Sequence, residues 1–448
     1  MKTFIYKLRL LQLILGLTLP LFSLQGWAQT AKVSGEQASV DANASSVSHQ
    51  WFYERALDGH MVKILPVGEE LFQQRIDRIL KAKKSVYLST FIYDTDISAR
   101  QIGWALCEKA KQGLDVRMIL DGFGGKKFYK DYADSLRECG VAIMLFNPTR
   151  WGVHKAHYVI HEKLLVVDGE TVMMGGNGIG DPYHKHPGAK KYFQDIDMVV
   201  EGPSACVYQQ IFAKYWNLNL KKALDFPSRE EQEVGTWSTR YWSLFNGEAD
   251  DKCDKVAKGQ SKVLPLYNNP YYEKKKRPIY EHYKLAIGAA TKTIDLNAPY
   301  FVPHKGFIED LVEARKRGVR VRVMTNSIES NDEGFVTLLG MMMTTKKLRE
   351  AGVEFLLYKG PRTFHRKGGM FDNKIVYIGS DNLDNRGHQF QSESIAFTDD
   401  AGAVADFTKE FEADVAHSVS LDPAYQARIW KGAPWWKKWI IRRIIKQL

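Results

Sequence analysis

Cysteine is scarce in this chain. Only Cys107, Cys139, Cys206 and Cys253 occur among 448 residues, and none forms a CxxC pair. Zinc-ribbon and thioredoxin-type chemistry are therefore poor fits. No GxxxxGK[ST] loop is present. The stretch "GGNGIG" (residues 175–180) also lacks Rossmann spacing and reads as the close of a hairpin. His154, His157 and His161 have no acidic or cysteine partner at ligand spacing, so no metal is expected. Acidic residues are absent from both ends of the chain. Residues 1–28 hold +3 and the final "PWWKKWIIRRIIKQL" +5 of the formal +11, leaving +3 for the body. That near balance argues against a nucleic-acid partner, which needs a basic cleft.

Long apolar runs are also missing beyond the N-terminus. There, Lys2, Lys7 and Arg9 precede an apolar run from Leu10 to Leu24, and Gly26 and Ala28 form a small-x-small pattern. This is the anatomy of a secretory signal cleaved after Ala28, with an uncleaved anchor as the alternative. A periplasmic or exported, membrane-associated protein is expected, and its cysteines are free to form disulfides, with one bridge the expectation. At helical spacing in the tail, Trp436, Ile440, Ile444 and Leu448 align, with Ile441 and Ile445 beside them; Lys438, Arg442 and Lys446 lie opposite. A basic, Trp-rich amphipathic helix over 434–448 suits an anionic lipid surface; the alternative is docking on the protein's own core.

The length calls for two domains or a duplicated one, and the chain supplies a duplication. "HEKLLVVD" (His161–Asp168) and "HRKGGMFD" (His365–Asp372) share the spacing His-x-Lys-x4-Asp. Each follows the succession strand, helix, strand, helix, strand. In the first half these are "SVYLSTFIYD", "QIGWALCEKAKQG", "LDVRMILD", "FYKDYADSLREC" and "GVAIMLFNP". In the second they are "TIDLNAPYFVP", "GFIEDLVEARKRG", "VRVRVMTN", "GFVTLLGMMMTTKKLREAG" and "VEFLLYKGP". Alternation of this kind predicts two α/β lobes, 62–220 and 262–420, each a mostly parallel sheet flanked by helices. A lead-in (29–61), an inter-lobe connection (221–261) and a tail (421–448) complete the chain.

Each motif reads as a strand, a tight turn and a second strand. Residues two apart on a strand share a face, so His161 projects with Lys163 and His365 with Lys367. If the lobes meet at a pseudo-twofold axis, four groups converge on one pocket. That set suits phosphodiester chemistry without a cofactor. The lysines hold a phosphate, one imidazole attacks phosphorus, and the other serves as acid and then base. A single copy lacks the second histidine, which is a reason to carry two. The candidate catalytic set is His161, Lys163, Asp168, His365, Lys367 and Asp372. Asp168 and Asp372 fall at turns and read as supporting the motif rather than moving protons. Each histidine also wants an acid to orient its other nitrogen. Asp195 and Glu393 each lie on a strand-like run some thirty residues after their own motif's histidine.

These motifs resemble those of the phospholipase D superfamily, and more closely those of bacterial cardiolipin synthases of the type C branch. "HEKLLVVDGETVMMGGNGIGDPY", "DIDMVVEGPSACVYQQIFAKYWN" and "HRKGGMFDNKIVYIGSDNLDNR" are similar to that branch's segments. The resemblance covers about 65–420. It implies phospholipid substrates, catalytic His161 and His365, phosphate-binding Lys163 and Lys367, and His161 as nucleophile. The family's first motif carries Gly-Gly-x-Asn. Here Gly175, Gly176, Asn177 and Gly178 stand instead, so the expected amide position is Gly178, with Asn177 beside it. Asn382 is in place in the second. The usual Arg-Ser is Arg386-Gly387, and the usual Asn-x-Glu is Gln391-x-Glu393. The resemblance implies a phosphatidyltransferase; the alternatives are a hydrolase releasing phosphatidic acid, an exported nuclease, or a non-catalytic lipid-binding module.

Overall fold

The computed structural model describes residues 49–147, 158–189, 191–223, 253, 256–274 and 276–445. The expected signal segment, residues 29–48 of the lead-in, His154, His157, most of the connection 221–261 and Lys446–Leu448 lie outside the described residues.

A short helix, α1 (Gln50–Tyr53), comes first. Lobe one then runs β1 (Leu57–Pro66), α2 (Glu69–Lys81), β2 (Ser85–Thr90), α3 (Ile97–Lys111), β3 (Asp115–Asp121), α4 (Lys126–Glu138), β4 (Ala142–Phe146), β5 (Val159–Ile160), β6 (Lys163–Val167), β7 (Thr171–Gly175), α5 (Asp181–His184), β8 (Phe193–Gln194), β9 (Ile196–Glu201) and α6 (Pro203–Ala223). Lobe two repeats the plan with β10 (Ser261–Asn268), α7 (Pro278–Ala289), β11 (Thr293–Asn297), α8 (Lys305–Lys316), β12 (Arg320–Asn326), α9 (Phe335–Thr344), α10 (Lys346–Glu350), β13 (Glu354–Tyr358), β14 (Thr363–Phe364), β15 (Gly368–Phe371), β16 (Ile375–Gly379), α11 (Asn385–Gln389), β17 (Gln391–Thr398) and α12 (Ala401–Val415). Strand β18 (Ser418–Ser420) and helices α13 (Pro423–Gly432) and α14 (Trp435–Ile444) follow.

The two lobes share one continuous sheet, in the order β18-β13-β12-β11-β15-β16-β17-β10-β1-β9-β7-β6-β2-β3-β4. The order is nearly palindromic about the β10–β1 pair, which marks the pseudo-twofold axis. The expected mostly parallel sheets are in fact mixed. Along this path only β2–β3, β3–β4, β11–β12 and β12–β13 pair in parallel. The reason is local: each motif is a hairpin, and a tight turn forces antiparallel pairing. The inner strands are covered on both sides, and all six residues of β2 are buried. Tyr208, Ile211, Phe212 and Trp216 of α6 and Phe407 and Phe411 of α12 join strands of both lobes in one apolar cluster. Burying each such side chain contributes about 1.5–3 kcal/mol.

Two bridges form, one more than expected. Cys107 on α3 bonds Cys139 just beyond α4, and Cys206 in the first turn of α6 bonds Cys253 of the connection. The tail is docked, but not as its apolar alignment suggested. Ile441 of α14 is 1 % exposed and belongs to the core of lobe two. Trp435, Trp436 and Trp439 stay outward, at 78, 41 and 53 % exposure. Among the described residues no helix is long and apolar enough to cross a membrane.

Candidate active site

Each motif begins at the sheet's centre and ends at a turn. Asp168 (φ 57°) and Gly169 (φ 67°) close the β6–β7 hairpin; Asp372 and Asn373 (both φ 55°) close β15–β16. These successive left-handed residues make each turn, closed by Glu170 N donating to Val167 O and Lys374 N to Phe371 O, both at 3.0 Å. The Asp168 carboxylate accepts from the amides of Lys83, Lys84 and Ser85 at 2.9, 2.7 and 2.9 Å. Asp372 accepts from those of Thr291, Lys292 and Thr293 at 2.9, 2.7 and 2.9 Å. Both aspartates therefore fasten the hairpin to the loop before a neighbouring strand, as their turn positions suggest. His49 Nε2, which the sequence reading missed, lies 3.1 Å from Asp372 Oδ2. Burial acts to raise the Asp372 carboxyl, but His49 and the three amides hold it far below the usual range.

At the other end each motif is stitched to the opposite lobe. Strand β5 pairs in parallel with β17, and His161 N donates to Ser392 O at 3.0 Å. Strand β14 pairs in parallel with β8, and His365 N donates to Gln194 O at 2.8 Å. The carboxylates cross as well. His161 Nδ1 lies 2.8 Å from Glu393 Oε1, and His365 Nδ1 lies 2.6 Å from Asp195 Oδ2. The expectation that each acid serves its own motif's histidine is thus corrected. Strands β9 and β17 are separated only by β1 and β10 at the centre of the sheet. The start of each reaches the other lobe's motif.

The residue between His and Lys anchors each motif. Glu162 accepts from Ser89 Oγ at 2.7 Å and Tyr267 OH at 3.0 Å, and also from Ser392 Oγ. Arg366 pairs with Glu410 at 2.5 Å and Asp414 at 3.0 Å. Aromatic rings wall the pocket. Phe91 lies 5.3 Å from the His161 ring; Phe193 and Tyr300 lie 5.0 and 6.0 Å from that of His365. Asn382 is buried, and its Oδ1 has no partner among the described residues. Asn177 is turned elsewhere: its amide donates to Asp197 Oδ1 at 2.9 Å, and Asp197 pairs with buried Arg75 at 2.7 Å. It does not stand in for an amide at Gly178.

Two lysines and two histidines are buried here together. Lys163 Nζ donates to His161 O, and Lys367 Nζ donates to His365 O at 2.7 Å. Burial, then the charge of Lys367, pushes Lys163 down to about 7. Burial lowers Lys367 too, against Asp195 and Glu393. His161 is held well below 6.5 by burial and by Lys163, Lys367, His365 and Arg386. His365 is lowered by burial and Lys367, with Asp195 opposing. A phosphate held between the lysines relieves the cost of burying them.

A sign follows for the pH dependence. A protonated Lys163 can hold a phosphate, and that charge is lost as pH rises through about 7. A neutral His161 can act as a nucleophile, and it stays neutral down to a pH well below 6.5. The expected kcat/KM profile therefore has its maximum on the acid side of neutrality and falls above about pH 7. A profile still rising between pH 7 and 9 would contradict this balance.

Paired His-x-Lys hairpins meeting across a pseudo-twofold axis, with crossed acids behind the histidines, define a phospholipase D-type phosphodiester site. The family described as "Cardiolipin synthase, PLD-like domain" matches residues 76–216 and 283–415. The chain belongs to this family and is an enzyme of the phospholipase D superfamily. It is 26 % identical over 376 residues to Cardiolipin synthase 1 of Bacillus anthracis, covering 83 % of this chain and 70 % of that one. With the cardiolipin synthase of Listeria monocytogenes serotype 4b it shares 28 % over 375 residues, covering 82 % and 71 %. The crystal structure of phosphatidylserine synthase from Haemophilus influenzae Rd KW20 has the same fold: TM-score 0.65 and 17 % identity, covering 90 % of this chain and 99 % of that one.

Proposed function

We propose that this protein is a phosphatidyltransferase of the cardiolipin synthase kind, working through a phosphohistidine. The convergence of His161, Lys163, His365 and Lys367 in one buried pocket carries this reading. Lys163 and Lys367 hold the phosphate of a phospholipid. His161 Nε2 attacks phosphorus, the bond from phosphorus to the head-group oxygen breaks, and His365 gives that oxygen its proton. A second alcohol then loses its proton to His365 and attacks phosphorus, breaking the P–N bond and freeing His161. Phosphatidylglycerol as the alcohol gives cardiolipin; water gives phosphatidic acid.

The electrostatics favour His161 as nucleophile. Burial, with the charges of Lys163, Lys367, His365 and Arg386, keeps it unprotonated, whereas Asp195 helps His365 hold a proton against its own burial. Burial pushes the Glu393 carboxyl up, with Lys163 opposing. A bound phosphate favours charged Lys163, and charged Lys163 favours the Glu393 carboxylate. The substrate thus sets the Nδ1–H tautomer that leaves Nε2 free to attack.

Mass spectrometry of lipids from vesicles of phosphatidylethanolamine and phosphatidylglycerol tests this reading. Cardiolipin is expected from the wild type and not from His161→Ala. Phosphatidic acid alone would make the protein a hydrolase, and no lipid product would favour the nuclease alternative.

Two disulfides suit an oxidising compartment, in keeping with a periplasmic or exported enzyme. Outward tryptophans beside Lys437, Lys438, Arg442 and Arg443 suit an anionic membrane surface, where each cation adds about 1 kcal/mol. Changing Trp435, Trp436 and Trp439 to Ala leaves Ile441 docked. It is expected to weaken binding to phosphatidylglycerol vesicles about tenfold in a sedimentation assay. Unchanged binding would remove the tail from the membrane contact.

A further inference from the structure

The walls beside the two histidines differ. In lobe one the loops after β2 and β3 supply Phe91 and Phe123. The Phe91 centroid lies 5.3 Å from that of His161, and Phe123 stacks on Phe91 at 6.2 Å with planes 16° apart. Both are hydrocarbon rings. In lobe two the corresponding loops, after β11 and β12, supply Tyr300 and Asp332. The Tyr300 centroid lies 6.0 Å from that of His365, and the Tyr300 hydroxyl donates to Asp332 Oδ1 at 2.7 Å. A phenol and a carboxylate stand where the other lobe has two phenyl rings.

That pair is held from both sides. The carbonyl of Pro299, next to Tyr300, accepts from Asn326 Nδ2 at 3.0 Å and Thr325 Oγ1 at 3.2 Å. The turn leading to Asp332 is closed by Ser330 Oγ donating to Asn326 Oδ1 at 2.8 Å. In the same loop Glu329 accepts from Tyr425 OH and pairs with Arg428, both at 2.7 Å. Burial, then the charges of Asp332 and Glu333, hold the Tyr300 phenol well above its ordinary range, so it keeps its proton and donates it. The other polar groups about His365 are Asp195 at Nδ1, Lys367 Nζ at 3.2 Å from Nε2, and the Tyr183 ring at 6.2 Å. Burial and Lys367 work against a proton on His365, and Asp195 and Asp332 work for one.

We propose that Tyr300 and Asp332 are positioning residues that fit His365 for the acid role, the carboxylate being held near the imidazole by the phenol so that it stabilises the imidazolium. Neither touches the reacting atoms. The proton leaves His365 for the head-group oxygen as the bond from phosphorus to that oxygen breaks, and the incoming alcohol returns it. A hydrocarbon wall favours the neutral imidazole, whereas a nearby carboxylate favours the charged one. The two histidines therefore enter the reaction in different protonation states, although the sheet around them is nearly symmetric. The inference rests on the proposed reaction, in which His365 gives and retakes the proton.

Asp332→Asn provides the test, because it keeps the size of the side chain and removes the charge. With lipid substrate kcat is expected to fall about tenfold, with an unchanged melting temperature. The nitrophenolate burst from a p-nitrophenyl phosphodiester, whose leaving group needs no proton, should slow by no more than about twofold. Loss of a negative charge lowers the His365 pKa, so NMR of ring-labelled histidine should show the His365 titration moved to lower pH. Asp332→Glu restores the charge and should recover most of the lipid turnover. Tyr300→Phe frees the carboxylate and should move the His365 titration in the same direction. An unmoved His365 titration in Asp332→Asn would overturn the inference. So would equal losses on the two substrates, the mark of a merely structural role. A moved His365 titration in a protein with no His161-dependent lipid turnover would instead fault the substrate reading and leave this inference standing.

Discussion

His365→Ala is expected to lower lipid turnover about 10³–10⁴-fold and to leave the phosphatidyl group stranded on His161 when the leaving group is good. In the proposed mechanism His365 is needed twice, first to protonate the departing head group and then to take the proton of the incoming alcohol. A p-nitrophenyl phosphodiester needs no acid to leave. With that substrate the first step should survive in His365→Ala and show a burst of about one nitrophenolate per enzyme before it stalls. Mass spectrometry of a digest should then find the adduct on the peptide containing His161. His161→Ala should give neither burst nor adduct, because no other group behind Lys163 can attack phosphorus. The two variants are thus unequal even though their steady-state losses are similar. An adduct on His365 in the His161→Ala protein would exchange the two roles. It would also contradict the electrostatic argument, in which Lys163, Lys367 and Arg386 suppress protonation of His161 while Asp195 supports it at His365.

Which parts of this site could be read from sequence depends on how far apart their causes lie. The hairpins were legible because period-two side chains and an Asp-Gly or Asp-Asn turn are local features. So was the supporting role of Asp168 and Asp372, since an aspartate at a left-handed turn position has backbone amides within reach. The crossed acids were not legible. The choice between Asp195 and Glu393 for His161 is decided by β9, β1, β10 and β17 lying side by side, a global order that no short segment encodes. The same holds for the two disulfides, which need Cα atoms about 5.4 Å apart rather than any particular spacing. In the tail, periodicity found an amphipathic helix but aligned Trp436 with the apolar side. Packing chose Ile441 as the contact, because the core of lobe two offers room there while the indole of Trp436 stays in solvent. Gly178 was seen as a departure. That Tyr183 fills the space above it follows from the fold of α5 alone.

The crossing of the acids sets the last expectation, and it separates two arrangements that predict the same loss of activity. Asp195→Asn and Glu393→Gln should each lower kcat about 10²-fold, since either removes the charge that orients one histidine. The histidine affected is what differs. Asp195 raises the His365 pKa against burial and Lys367, so Asp195→Asn lowers it further. In the proposed mechanism His365 carries a proton to release the head group, so the alkaline limb of the kcat profile should move to lower pH in this variant. An NMR titration of ring-labelled histidine should show the His365 signal moving in Asp195→Asn and staying in Glu393→Gln. Had each acid served its own lobe, as the sequence order suggests, the responses would be reversed. Crossed pairs also give a reason for the two halves to remain on one chain. A lobe folded without its partner would carry a histidine, a lysine and a turn aspartate, but no acid behind the imidazole, and its Asp195 or Glu393 would have no histidine to orient. The duplication therefore supplies more than a second histidine, because each half completes the proton-handling group of the other.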